Sequence, residues 1–179
     1  MRFAAVAHRD QCRKGTDTPY ITHPVQVMFI LERARFTDES LLAAALLHDV
    51  VEDCEVSLDE LREEFSPAVA ALVAALSERK TDEAGRKRPW EDRKREHLEH
   101  LSESPLTVRA LTLADKLHNL ETIALDLESG VEVWSRFNAP RERLLWYYRE
   151  TVTRCDRGEP ELNELCSACR AVLTRLESM

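Results

Sequence analysis

The chain has 179 residues and a formal net charge of −8, from 33 acidic against 25 basic side chains. That balance argues against broad binding to nucleic acid or anionic membrane surfaces, and no apolar run reaches the roughly 18 residues of a membrane span. With 44% hydrophobic residues and only four glycines, the chain can bury a sizeable core and is poor in turn formers, so one all-α domain over residues 1–179 is expected.

The first helix, opening at Phe3-Ala4-Ala5, should be short or frayed, or the true start lies upstream. His8 and Gln11 form a pair near its end. Arg13 and Lys14 follow in RKGTDTP, whose turn formers predict a loop over 13–19; the bland reading of both is a solvated surface. His23 stands in PYITHP directly before Pro24, a favoured early helical residue, which puts its imidazole at a helix N-terminus.

Thr37 is expected to start the next helix, LLAAALLHDVVED, read as helical from Leu41 to Asp53. Ser57 with Glu60 makes a capping box, and Ser66-Pro67 opens PAVAALVAALSERK. Eight of the 25 basic residues then fall within the seventeen positions 79–95, with a loop over 81–89. The bland reading is a solvated loop and helix start balanced by neighbouring acids; the sharper one is that Lys80 or Arg88 attracts a polyphosphate. Ser104-Pro105 opens the helix of LTLADKLHNL, a further loop covers 129–140, and Pro140 and Pro160 begin the last two helices. No alternating strand pattern competes. The aromatic group Trp134, Phe137, Trp146, Tyr147 and Tyr148 is read as packing, with one of the three consecutive rings turned outward.

Five cysteines, an odd number without a secretory leader, point to a reducing cytoplasm and no disulfide framework. Cys166 and Cys169 form a CxxC, but without a second CxxC or a βαβ context the reading is structural.

The chemistry concentrates in LLAAALLHDVVED. A helix apolar on nearly every side is buried, and buried ionised groups need a partner. His48 and Glu52 are i, i+4, Asp49 and Glu52 are i, i+3, and Asp49 and Asp53 are i, i+4, which gathers an imidazole and three carboxylates in one sector. Such carboxylates repel without a cation. His23 and Asp115, the latter ringed by Leu111, Ala114, Leu117 and Leu120, complete a set of two imidazoles and two carboxylates with His48 and Asp49. Mixed nitrogen and oxygen ligands suit Mn²⁺, Fe²⁺ or Zn²⁺ better than Ca²⁺.

Three segments in series, AHRDQCRKGTDTPYITHP, HDVVED and LADKLHNLET, closely resemble the HD-domain hydrolases of the RelA/SpoT type, especially the small stand-alone alarmone hydrolases. The resemblance covers residues 3 to about 125 well and the helical part 126–179 loosely. It implies a metal-dependent enzyme, usually with Mn²⁺, that removes the 3′-pyrophosphate of guanosine tetra- and pentaphosphate, giving GDP or GTP and pyrophosphate. Carried over position by position, His23, His48, Asp49 and Asp115 match metal ligands. Glu52 and Asp53 match catalytic carboxylates, and Arg13, Lys14, Asn119 and Thr122 match nucleotide contacts. The partner implied is a small nucleotide; a homo-oligomer is compatible with the sequence but not indicated by it. The long family members' synthetase and regulatory modules have no room after residue 125, so the chain is expected only to degrade the nucleotide.

Metal lowers the pKa of a water, and Glu52 or Asp53 is placed to orient it or take its proton, with Arg13 and Lys14 supplying positive charge. One departure bears on substrate: Glu121 stands where the family usually has Arg. Either that carboxylate faces away from the site, or the substrate is another nucleotide, such as the 2′-phosphate of NADPH or a deoxynucleotide. The rival from another class is a non-catalytic nucleotide sensor.

Overall fold

Helices begin where a side-chain oxygen can serve the amides that a first turn leaves without carbonyl partners. Asp38, Ser57 and Ser66 accept from the amides of Leu41, Glu60 and Val69 at 2.9, 3.1 and 3.2 Å. The serine caps agree with the sequence. The aspartate replaces Thr37 as the expected cap, because the helix starts at Glu39 and Thr37 lies one residue too far out.

The computed structural model describes residues 1–179. The chain divides into two compact units, Met1–Ser77 and Glu78–Met179. All its regular structure is helical apart from two isolated antiparallel bridges, Cys12 to Pro19 and Thr81 to Lys87. No helix is long and apolar enough to cross a membrane.

The first unit contains α1 (Arg2–Ala7), α2 (Thr22–Arg33), α3 (Glu39–Leu47), α4 (Val50–Asp53), α5 (Leu58–Glu64) and α6 (Pro67–Leu76). The first helix is short, as its sequence suggested. α3 packs against both α2 and α6, and α5 packs against α6. Their shared core is built on Val27, Leu31, Leu41, Ala44, Leu61 and Val73, all fully buried.

The second unit contains α7 (Trp90–Glu103), α8 (Leu106–Glu128), α9 (Arg141–Cys155) and α10 (Asn163–Glu177). α8 packs against α9 and α10, which also pack on each other, and α7 covers α9. Pro160 does not open α10 directly. It opens a 3-10 turn, Pro160–Leu162, and the α-helix follows at Asn163. Of the three consecutive aromatics on α9, Tyr147 and Tyr148 are buried and Trp146 is exposed, in line with packing.

Arg109 of α8 is 1% exposed, so its charge needs full compensation. Its guanidinium donates to the carbonyls of Ser104 and Cys155 at 3.2 and 2.7 Å and forms a two-pronged pair with Glu159. Hydrogen bonding from Arg109 pulls the Glu159 carboxyl from 4.5 to about 2. A depressed acid contributes stability that is full above its unfolded value and is lost as pH falls through its folded one. Acid unfolding followed by circular dichroism should therefore show a loss of stability between about pH 4.5 and 2 that Glu159→Gln lacks. Identical pH dependence in the two chains would remove this pair from the acid stability of the fold.

Candidate metal centre

The doublet His48-Asp49 lies at a joint between helices, where the sequence suggested one unbroken helix. α3 stops at Leu47 and α4 starts at Val50. The cause is local: His48 Nδ1 lies 2.8 Å from the Ala45 carbonyl oxygen, the acceptor that the Asp49 amide takes in a continuous helix. Helical bonding resumes at Asp49, whose carbonyl accepts from the Asp53 amide at 2.9 Å. Glu52 is thus half-buried and Asp53 exposed on a single turn that follows the doublet.

α2 begins at Thr22, which puts His23 in its first turn and Pro24 where a missing amide hydrogen costs nothing. The two imidazoles meet edge to face, with His23 Nε2 3.2 Å from His48 Nε2. Both rings are buried. Asp49 Oδ2 lies 3.1 Å from His48 Nε2 and 3.5 Å from His23 Nε2. A carbonyl only accepts, so His48 Nδ1 carries the hydrogen towards Ala45, and the ring in its neutral form presents a lone pair at Nε2. An imidazole lone pair and a carboxylate oxygen therefore point at one small volume, a donor set that a divalent cation satisfies.

Ahead of α2 the chain folds back on itself. The Arg13 amide donates to the Thr18 carbonyl at 2.8 Å and the Tyr20 amide to that of Gln11 at 2.9 Å. Gly15 supplies the positive φ, 76°, that the turn requires. The Arg13 guanidinium lies 5.5 Å from the centre of the Tyr20 ring, and Lys14 is exposed. The Tyr20 hydroxyl donates to Asp49 Oδ2 at 2.6 Å. Burial first, and then the Asp49 charge, push that phenol well above its ordinary range, so it stays protonated.

In the second unit, Asp115 on α8 is 6% exposed and is the one buried carboxylate of the chain. Its Oδ1 accepts from Asn119 Nδ2 and its Oδ2 from Lys116 Nζ, both at 2.6 Å. Burial works against the Lys116 ammonium, but Asp115 beside it prevails and Lys116 titrates well above its usual range. Burial, followed by the Lys116 charge, pushes nearby His97 down to about 4. Thr122 shares the face of Asp115 and Asn119, but its hydroxyl donates to the His118 carbonyl of its own helix at 2.8 Å. Glu121 is exposed and stands about 120° away around the helix. After burial and two neighbouring thiols, its charge contributes to raising the Cys169 thiol of α10.

His23, His48 and Asp115 are the buried candidate metal ligands, each offering one ligand atom. In the basic stretch, Arg79, Arg86, Arg88, Arg93, Lys94 and Arg95 each pair with a carboxylate, which favours the charge-balanced reading of that run, although Arg88, Arg93 and Lys94 are half-buried rather than solvated. All five cysteines are free thiols. Sequence reasoning passed over Tyr20 and Lys116. Each had a signal: Tyr20 stands three residues before His23, and Lys116 follows Asp115 in an otherwise apolar helical face.

A family model described as HD domain matches residues 1–141. The guanosine-3′,5′-bis(diphosphate) 3′-pyrophosphohydrolase MESH1 of Drosophila melanogaster is 38% identical over 132 residues, covering 73% of this chain and 70% of that protein. MESH1 of Homo sapiens is 42% identical over 123 residues, 68% of this chain and 65% of that protein. The matched segment thus spans about two thirds of the length of these relatives. Among solved structures, a metazoan orthologue of SpoT that hydrolyses ppGpp superposes with a TM-score of 0.78 at 30% identity, over 97% of this chain and 91% of that one. The protein lmo0812 of Listeria monocytogenes EGD-e gives a TM-score of 0.78 at 32% identity, over 92% and 99%. With the family model matching most of its length and the MESH1 hydrolases as homologues, the chain belongs to the HD-domain family.

Proposed function

We propose that the protein hydrolyses the 3′-pyrophosphate of guanosine tetra- and pentaphosphate, giving GDP or GTP and pyrophosphate. The observation that carries this reading is the convergence of His23 Nε2, His48 Nε2 and Asp49 Oδ2 within 3.5 Å, in a chain homologous to enzymes named for that activity. Residues 1–179 act as one catalytic domain, a reading supported by the family match over residues 1–141, which runs through both units.

The ligands in this proposal are His23, His48, Asp49 and Asp115, a mixed donor set that suits Mn²⁺, Fe²⁺ or Zn²⁺, of which the family resemblance favours Mn²⁺. A divalent cation held there supplies positive charge at the phosphate and eases deprotonation of the attacking water. Glu52 and Asp53 form the carboxylate pair that orients the water and takes its proton as it attacks phosphorus. Release of pyrophosphate breaks the ester bond to the ribose O3′, which leaves with a proton. Arg13 and Lys14 balance the negative charge of the nucleotide, and Asn119 and Thr122 contact it from α8. The odd count of five cysteines supports a reducing, cytoplasmic setting.

Glu121 was the feature that favoured a different nucleotide. Its exposure and its place about 120° around α8 from Asp115 support the reading in which it leaves the substrate alone. Incubation of the purified protein with ppGpp and Mn²⁺ is expected to release GDP and pyrophosphate. Orthophosphate from NADPH, with ppGpp untouched, would replace this reading with the 2′-phosphatase one.

A further inference from the structure

Tyr20 belongs to none of the sets named above, yet its hydroxyl touches two of them. Its oxygen lies 2.6 Å from Asp49 Oδ2 and 3.4 Å from Asp53 Oδ2, so one O–H faces a proposed ligand and a proposed catalytic carboxylate together. The ring is held on several sides. It stacks on His8 at 4.7 Å between centroids, meets His23 edge-on at 5.9 Å, and lies beneath Arg13. A phenol so clamped has little rotational freedom, and its oxygen is aimed by the ring.

The same neighbourhood fixes Asp53 from its backbone side. His8 is 1% exposed, and its Nδ1 lies 2.7 Å from Gln11 Oε1. Gln11 Nε2 in turn donates to the main-chain carbonyl of Asp53 at 2.5 Å. α1, the hairpin and the end of α4 are thus tied by side chains that meet at Tyr20 and at Asp53.

We infer that Tyr20 is a positioning residue, whose hydroxyl orients the Asp49 carboxylate for the metal and holds Asp53 at a set distance from it. This rests on the metal-dependent hydrolase reading above. The hydroxyl is the group that matters, since a phenylalanine would keep every ring contact and lose only the bond to Asp49 and the approach to Asp53.

The test compares wild type, Tyr20→Phe and Tyr20→Leu, with circular dichroism to report the helical fold. Mn²⁺ affinity is measured by calorimetry without nucleotide, and kcat and KM with ppGpp. Loss of a hydrogen bond to a ligand typically weakens metal binding or activity about 10- to 100-fold. Tyr20→Phe is expected to weaken Mn²⁺ binding and lower kcat by that factor, with KM within about twofold of wild type. If Tyr20→Phe binds Mn²⁺ like wild type and only Tyr20→Leu is impaired, the ring rather than the hydroxyl matters and the inference fails, while the hydrolase reading stands. A wild-type chain that binds no divalent ion would bring down both.

Discussion

Replacing His48 by alanine is expected to remove Mn²⁺ binding and ppGpp turnover together. The side chain contributes one of two buried imidazole nitrogens that lie 3.2 Å apart, and its Nδ1 bond to Ala45 fixes the direction of the other nitrogen. Removing even an outer partner of a ligand costs about 10- to 100-fold, so removing a ligand should exceed that range in both affinity and kcat. Calorimetric titration with Mn²⁺ and a product assay on the same preparation give the two numbers. Full activity in His48→Ala would end the assignment of this residue to the metal. The substitution has a second effect: with the imidazole gone, the Ala45 carbonyl is available to the Asp49 amide, and α3 can run on into α4 and turn Asp49 away.

Glu52→Gln and Asp53→Asn probe a different link, because neither residue is a proposed ligand. General acid–base groups typically contribute about 10²- to 10⁴-fold to rate. Each substitution is expected to lower kcat within that range while Mn²⁺ affinity stays at the wild-type value. The two carboxylates are consecutive on the single turn of α4. The single variants separate them: the one that keeps wild-type kcat is not the base. Loss of Mn²⁺ affinity in either variant would move that residue into the ligand set.

Much of this was legible in the chain because the signals were local. Ser57 and Ser66 cap their helices as read, since capping depends on a few consecutive residues. The ring of Leu111, Ala114, Leu117 and Leu120 around Asp115 follows from helical period alone, and all five are buried. The joint at His48-Asp49 was not legible, because apolar periodicity runs straight through it. What breaks the helix is a side chain bonding to its own backbone, which no period records. Tyr20 was hidden for another reason. Its partner Asp49 is 29 residues away in sequence, and only the tertiary fold brings a phenol to that carboxylate.

The hairpin that carries Arg13 is closed by main-chain bonds at both ends of its turn, and its glycine already adopts the conformation the reversal needs. A flexible basic loop would have to give up chain entropy, about 1–2 kcal/mol for each residue it fixes, at the moment a polyanion docked. Here that ordering belongs to folding. A nucleotide docking on Arg13, as proposed above, would meet a surface of settled shape and would be discriminated by its fit to that shape more than by its power to organise it.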